Sequence, residues 1–377
     1  MPEMNSYWQR IWNDDGSINH YTVIKIIAFA ISLPYRLIIT FRNRLYDKKI
    51  FAVVKLPCPV ISVGNITAGG TGKTPCVIML ARMLQSHGFK PAILSRGYGG
   101  KTTKSVNIVS DGKNILLDSK TAGDEPFLMA QSLRSIPIFV GPQRIKTGVT
   151  AINRFGANVL ICDDAMQHRQ IFRDINLVLL DSPDPLGNGH VLPRGKLREP
   201  IAGLGRASAF LLTRADETPN TDSINNKLTQ IGNIPIFTSI HKLKDVIKGD
   251  YSDKWPIAGL KGKKVCAFCG IAKPDSFKKS LLAAQCHILS WDTFPDHHNY
   301  SRAELEIIKN KFYNYEADLI ITTQKDGMRL QNFAEFLSII HMMRIEMEIT
   351  PSRESFDNFI LDRLAAAVVN PISAGSK

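Results

Sequence analysis

Apolar and polar positions along this chain come in blocks rather than in strict alternation. "PCPVISVGN" (57–65) is a short β-rich run, and Thr74 to about His87 carries Val77, Ile78, Leu80, Ala81 and Leu84 at helical spacing. "KPAILSRGYGG" reads as a strand entering a glycine loop, 122–133 as a helix, "IPIFV" as a strand and 143–155 as a helix. "NVLICDD" and "INLVLLD" are continuous apolar runs that each end in aspartate. Strands apolar throughout, alternating with helices, predict an α/β fold whose mostly parallel sheet is covered on both faces. "ASAFLLTRADET" reads as the last strand of that core or the start of a link. Beyond it, "KKVCAFCGIAKPDSFKKSL", "CHILSWDTFPDHHNYS", a helix near 302–313 and "ADLIITTQKDGMRL" predict a second, smaller α/β domain from about 206 onward. The closing "NPISAGSK" reads as a frayed tail.

One segment falls outside this rhythm. In "YTVIKIIAFAISLPYRLIITFRNRLYDKK", Ile26 to Tyr35 is uncharged and mostly apolar, too short to cross a bilayer alone. Snorkelling of Lys25 and Arg36 lengthens it to a marginal span kinked at Pro34. Arg36, Arg42, Arg44, Lys48, Lys49 and Lys55 follow against the single acid Asp47. An apolar helix with a basic collar is what attachment to an anionic leaflet requires, which favours that reading over a buried domain helix. The first fifteen residues, with Glu3, Asp14 and Asp15, lack the order of a secretory signal. The formal net charge of +13 favours anionic partners. Charge alone does not choose among nucleic acid, phospholipid head groups and phosphorylated substrates, and no recognisable nucleic-acid-binding module appears. Cys266-x-x-Cys269 lies inside an apolar run and reads as buried core rather than a metal or redox pair.

The candidate chemistry sits at strand ends. "VISVGNITAGGTGKTP" has the strand–loop–helix setting of a phosphate-binding loop, although Thr67 stands where G-x-x-x-x-G-K-[ST] has its first glycine. Thr67, Ala68, Gly69, Gly70, Thr71 and Gly72 form the cradle, Lys73 reaches β- and γ-phosphates, and the Thr74 hydroxyl suits Mg²⁺. "NVLICDD" places Asp163 and Asp164 where a metal-binding carboxylate belongs, with Gln167 and His168 close behind. Asp124 in "GDEP" reads either as a helix N-cap or as a base or metal ligand at the mouth of the site. Arg144 and Lys146 after one strand, and Arg194, Lys196, Arg198 and Glu199 in "LPRGKLREP", suggest recognition of an anionic substrate.

"GNITAGGTGKTP", "SRGYGG", "GDEP", "DDAMQH", "LPRGKLREP" and "FPDHHNY", in this order from about 20 to 330, resemble the tetraacyldisaccharide 4′-kinases of lipid A synthesis. Thr67 fits that family's own loop, G-N-x-x-x-G-G-T-G-K-T-P. The resemblance implies a P-loop NTPase-like fold divided into an N-terminal membrane-associated helix and collar (1–50), a P-loop kinase core (51–205) and a smaller domain closing over the site (206–377). It implies transfer of the γ-phosphoryl group of ATP, with Mg²⁺, to the 4′-hydroxyl of a tetraacylated glucosamine disaccharide 1-phosphate, forming lipid IVA. The work would be done at the cytoplasmic face of the inner membrane, on anionic lipids and without an obligate protein partner. By resemblance, Asp163, Asp164 and Glu199 lie near the metal. Asp124 is the catalytic base supported by His297, and Tyr98, Arg144, His168 and Arg198 face substrate or nucleotide. The competing expectation is a membrane-associated P-loop ATPase that drives a partner protein; it needs Lys73, Thr74 and Asp163 but neither Asp124 nor His297.

Overall fold

The computed structural model describes residue 8 and residues 11–12, 21–102, 104–218 and 222–369. The tail at 370–377 and most of the first fifteen residues, with the readings made there, lie outside the described residues. Thirteen strands among them form one sheet: β1 (Val60–Asn65), β2 (Pro91–Ser95), β3 (Asn107–Asp111), β4 (Pro137–Val140), β5 (Val159–Asp163), β6 (Ile175–Asp181), β7 (Ala209–Thr213), β8 (Ile236–Lys248), β9 (Lys254–Pro256), β10 (Lys264–Cys269), β11 (His287–Thr293), β12 (Leu319–Thr323) and β13 (Ile340–Thr350). Their order is β11-β10-β12-β13-β8-β7-β6-β1-β5-β2-β4-β3, with β9 on β8. Pairing is parallel except for β3 on β4 and for β13 and β9 on β8.

The apolar runs become central strands because both of their faces are covered. Every residue of β1, β2, β5, β6 and β7 is buried. Successive side chains point to opposite faces. Ile61, Ile93 and Ile161 therefore join Val77, Leu80 and Leu84 of the Lys73–Ser86 helix. Val60, Leu94 and Leu160 join Ala151 and Ile152 of the Arg144–Phe155 helix. Parallel strands with one orientation collect their carboxyl ends on one edge of the sheet, where ligands bind in such folds.

The division expected at 206 coincides with no interruption of the sheet. β7 pairs with β6, and β8 pairs with β7 over Ile236–Ser239. Almost the whole of β8 then pairs with β13, from Thr238↔Thr350 to Lys248↔His341. This two-stranded ribbon carries the sheet into a second half built on β10, β11 and β12. After β13 the chain returns, and Phe356, Ile360 and Leu364 of the Arg353–Val369 helix are buried with Ile61 and Val77 of the first half. Cys266 and Cys269 are buried on β10.

The apolar leader forms one 26-residue helix, Thr22–Asp47, with Pro34 inside it, long and apolar enough to cross a membrane by length and composition. Val23, Ile26, Leu37, Ile38 and Phe41 are each more than 60% exposed. The helix is held to the core by polar hooks on its other side. The Tyr35 hydroxyl donates to the Arg198 carbonyl (2.8 Å), and Arg169 donates to the Asn43 carbonyl (2.9 Å) and to Asp47 (2.6 Å). Asn43 Nδ2 donates to Glu199 Oε2 (3.0 Å).

Glu199 was expected beside the metal. Its fully buried carboxylate accepts at Oε2 from Asn43 of this helix and from Arg206 (2.6 Å), and at Oε1 from Gln167 (2.9 Å), so both oxygens have protein partners and one of them ties down the helix. Removing one partner of a buried charge pair costs about 3 kcal/mol. Glu199→Ala is therefore expected to lower the melting temperature and to speed amide exchange through 22–47. Unchanged exchange there would mean the helix is held by something else.

Candidate active site

The phosphate loop explains its own irregular letter. Thr67 makes an antiparallel bridge with Leu197, Ala68 N–H donates to the Lys196 carbonyl (2.7 Å), and Arg198 N–H donates to the Ile66 carbonyl (2.7 Å). Asn65 Nδ2 adds a bond to the Thr67 carbonyl (2.8 Å). The loop entrance is thus a strand-like segment pinned to 196–198, where a side chain is tolerated and glycine is not required. Thr67 and Ala68 fasten the loop, and Gly69 through Thr74 line the cavity. Gly72 is different: its φ is 79°, and an added Cβ would lie 2.9 Å from Nε2 of His241 on β8.

At the carboxyl edge the loop meets the two aspartates. Lys73 Nζ lies 3.3 Å from Asn65 Oδ1 and 3.5 Å from Asp164 Oδ1. Arg198 donates to both Asp164 oxygens (2.8 and 2.9 Å). Asp163, the last residue of β5, is 2% exposed; Ser95 donates to one of its oxygens (3.0 Å), while the other is buried without a partner. Burial, with the charges of Glu125 and Asp164 nearby, pushes its carboxyl well above the ordinary range. A carboxylate that is penalised for its charge and keeps one oxygen free, lining the same cavity as Thr74 of the helix that follows β1, fits a hard divalent cation. Among the described residues no group of three or more His, Cys, Asp or Glu side chains is placed to hold a metal ion.

Arg144 and His168 do not line this cavity. Arg144 is 3% exposed and its guanidinium donates to the main-chain carbonyls of Asp163 and Asp164, fixing the end of β5. His168 sits among Arg144, Arg173 and Arg96, and burial with those charges lowers its pKa to about 4.

Across the cavity, Asp124 opens the Asp124–Ser132 helix. Oδ1 accepts from the Glu125 N–H (3.0 Å). Oδ2 lies 3.0 Å from His297 Nδ1 and accepts from Arg329 Nε (2.9 Å) and Nη2 (2.7 Å). Burial alone would raise this carboxyl, but His297, Arg329 and Lys325 together hold it well below its usual range. Both oxygens of the buried Asp124 are thus engaged by protein donors. His297 lines the cavity, with the exposed Tyr98 ring at 6.1 Å. The cavity has a volume of about 1010 Å³ and joins Gly69–Thr74, Asp163, Asp164 and Arg198 to Tyr98, Asp296 and His297.

The chain matches a family model described as LpxK: Tetraacyldisaccharide-1-P 4'-kinase over residues 24–365. It belongs to that family. A tetraacyldisaccharide 4'-kinase of Syntrophus aciditrophicus is 42% identical over 365 residues, covering 94% of this chain and 97% of the relative. One from Desulfatibacillum aliphaticivorans is 40% identical, covering 89% and 91%. The crystal structure of LpxK from Aquifex aeolicus in complex with ATP superposes with a TM-score of 0.75 at 32% identity, covering 90% of this chain and 99% of that one.

Four further residues of the site region, Lys325, Asp326, Arg329 and His241, lie outside the sequence motifs. Lys325, Asp326 and Arg329 follow the apolar run "LIITT", so the strand-end rule that located Asp163 applies to them as well. His241 lies mid-strand in a mixed sequence, where no pattern marks it.

Two outcomes are expected. Gly72→Ala forces a Cβ into His241 at a left-handed φ and should abolish ATP binding while leaving the circular dichroism spectrum intact; normal affinity would refute the packing argument. The neutral forms of His168 and His241, each with a pKa of about 4 against an ordinary 6.5, are favoured by folding. Their contribution is complete above pH 6.5 and is lost as pH falls towards 4. The urea midpoint is therefore expected to drop between pH 7 and pH 4.5, and less steeply in His168→Gln.

Proposed function

We propose that this chain transfers the γ-phosphoryl group of ATP to the 4′-hydroxyl of a tetraacylated glucosamine disaccharide 1-phosphate. The observation that carries the reading is the single cavity in which a phosphate loop with an acidic cation site faces an Asp124–His297 pair. An ATPase driving a partner needs the first and has no use for the second.

The loop amides and the start of the Lys73–Ser86 helix hold the triphosphate, and Lys73 adds a positive charge at its outer end. Thr74 and Asp163 are the residues that would hold Mg²⁺, with Asp164 beside them steered by Arg198; the ion supplies charge neutralisation on the phosphates. A sugar hydroxyl is a weak nucleophile and must lose its proton as it attacks. Nε2 of His297 takes that proton, and Asp124 orients the ring through Nδ1. The new bond joins the 4′-oxygen to phosphorus, while the bond to the β–γ bridging oxygen breaks and ADP leaves with its electron pair. This exchanges the two roles expected from the resemblance, because Asp124 is already saturated with donors. Tyr98 and Arg198, on the cavity wall, are the groups we assign to substrate and nucleotide contact.

The Thr22–Asp47 helix lies on the anionic cytoplasmic leaflet with its apolar face in the lipid and its basic collar on head groups. The acyl chains of the substrate then stay in the bilayer while the sugar enters the cavity.

Two measurements test the reading. Label from γ-labelled ATP should pass to the disaccharide lipid in detergent micelles; release to water at the same rate with and without lipid would sink it. Leu37→Asp with Phe41→Asp, at sites 70% and 64% exposed, should leave folding intact and weaken flotation with anionic vesicles by at least about tenfold. Unchanged flotation removes the helix from the membrane contact.

A further inference from the structure

The short Gln324–Arg329 helix grips the Asp124–His297 pair at both ends. Lys325 and Arg329 are four residues apart and so share one face of that helix. At the aspartate end, Arg329 Nε and Nη2 both reach Asp124 Oδ2, while Nη1 donates to the Gly270 carbonyl (2.7 Å) and to Asp326 Oδ1 (3.1 Å). Asp326 is fully buried and also accepts from the Gly270 N–H (3.0 Å), the Tyr300 hydroxyl (2.9 Å) and the Thr323 hydroxyl (2.6 Å). The guanidinium is therefore aimed by fixed groups of the second half of the molecule.

At the histidine end, Lys325 Nζ lies 3.2 Å from His297 Nε2, 3.3 Å from Asp296 Oδ1 and 3.6 Å from Glu125 Oε1. An ammonium offers donors only, so the nitrogen it touches must present a lone pair. That places the ring proton on Nδ1, pointing at Asp124. His297 is held in this attitude with φ of 59°, a backbone conformation that a non-glycine residue adopts at a cost and that clusters at functional sites.

We propose that Lys325 and Arg329 are positioning residues of the phosphoryl transfer, Arg329 by keeping Asp124 as the acceptor for His297 Nδ1 and Lys325 by reserving Nε2 as the nitrogen that receives the hydroxyl proton. The proposal rests on the kinase reading above. When the sugar hydroxyl enters, it replaces the Lys325 N–H at Nε2, and Lys325 stays anchored on Asp296 and Glu125. The charged groups facing the imidazole are then Asp124 and Glu125 from the Asp124–Ser132 helix, Asp296 from its own loop, and Lys325 with Arg329 from the Gln324–Arg329 helix; Tyr98 adds an uncharged ring edge. Three carboxylates and two cations thus stand about this one imidazole, and Lys325 is the cation that touches the ring itself.

The test uses the full-length protein with ATP and the disaccharide lipid, wild type in parallel. Lys325→Met is expected to lower kcat on the order of 10²-fold, to leave the KM for ATP within about threefold, and to move the acid limb of the kcat profile up by about 1 pH unit. Arg329→Lys keeps the charge and loses the fork, so kcat should fall while the acid limb stays at the wild-type pH. An unmoved limb in Lys325→Met, or activity lost only in step with melting temperature or ATP affinity, overturns the proposal. If wild type fails to phosphorylate the lipid, the kinase reading itself has failed, a result distinct from normal transfer by both variants.

Discussion

The buried contact of Asp124 with Arg329 and His297 is the constraint on which the arrangement depends. Asp124 belongs to the first half of the chain, and its two partners are separated from it by the ribbon of β8 and β13. A buried ion pair yields little net stability, because desolvation offsets most of the attraction, yet an unpaired buried charge is costly. Such a pair therefore selects one relative placement of the two halves, the one that puts His297 opposite the phosphate loop. The ribbon supplies the connection and the charges supply the register.

The same economy of polar anchors recurs where backbone or helix must be fixed without a large apolar contact. Arg144 uses its guanidinium on the carbonyls that end β5, so the end of the strand that carries Asp163 is fixed. Glu199 ties the Thr22–Asp47 helix to the core from the polar side and leaves the apolar side exposed. The adjacent Arg198 uses its side chain on Asp164 and its main chain on Ile66 and Tyr35. The "LPRGKLREP" segment thus joins the Thr22–Asp47 helix, the phosphate loop and the acidic pair within a few residues.

Much of this was legible in the chain. Parallel strands buried on both faces must be apolar throughout, so β1, β2, β5 and β6 announced themselves, and the residues following them marked the carboxyl edge. Lys73, Thr74 and Asp163 are local to those strand ends. Other residues have protein partners that no local pattern announces. Arg144 and Glu199 have the charge and position of ligand-binding groups, and nothing local distinguishes a guanidinium aimed at phosphate from one aimed at a carbonyl. The long ribbon strands β8 and β13 have mixed composition because they are partly exposed, and they hid His241 and the return of the last helix to the first core.

By itself, then, the sequence determined the strand–loop–helix units, the phosphate cradle, the acidic pair and the apolar leader, since each rests on periodicity or spacing over a few residues. The tertiary structure decided which groups surround Asp124 and His297, which charges meet protein partners, and what Thr67 pairs with. These depend on partners 100 or more residues away, as Thr67 on Leu197 and Asp124 on Arg329. Hydrogen bonding and desolvation at such contacts are set by the packed geometry of the two halves, which no local pattern encodes.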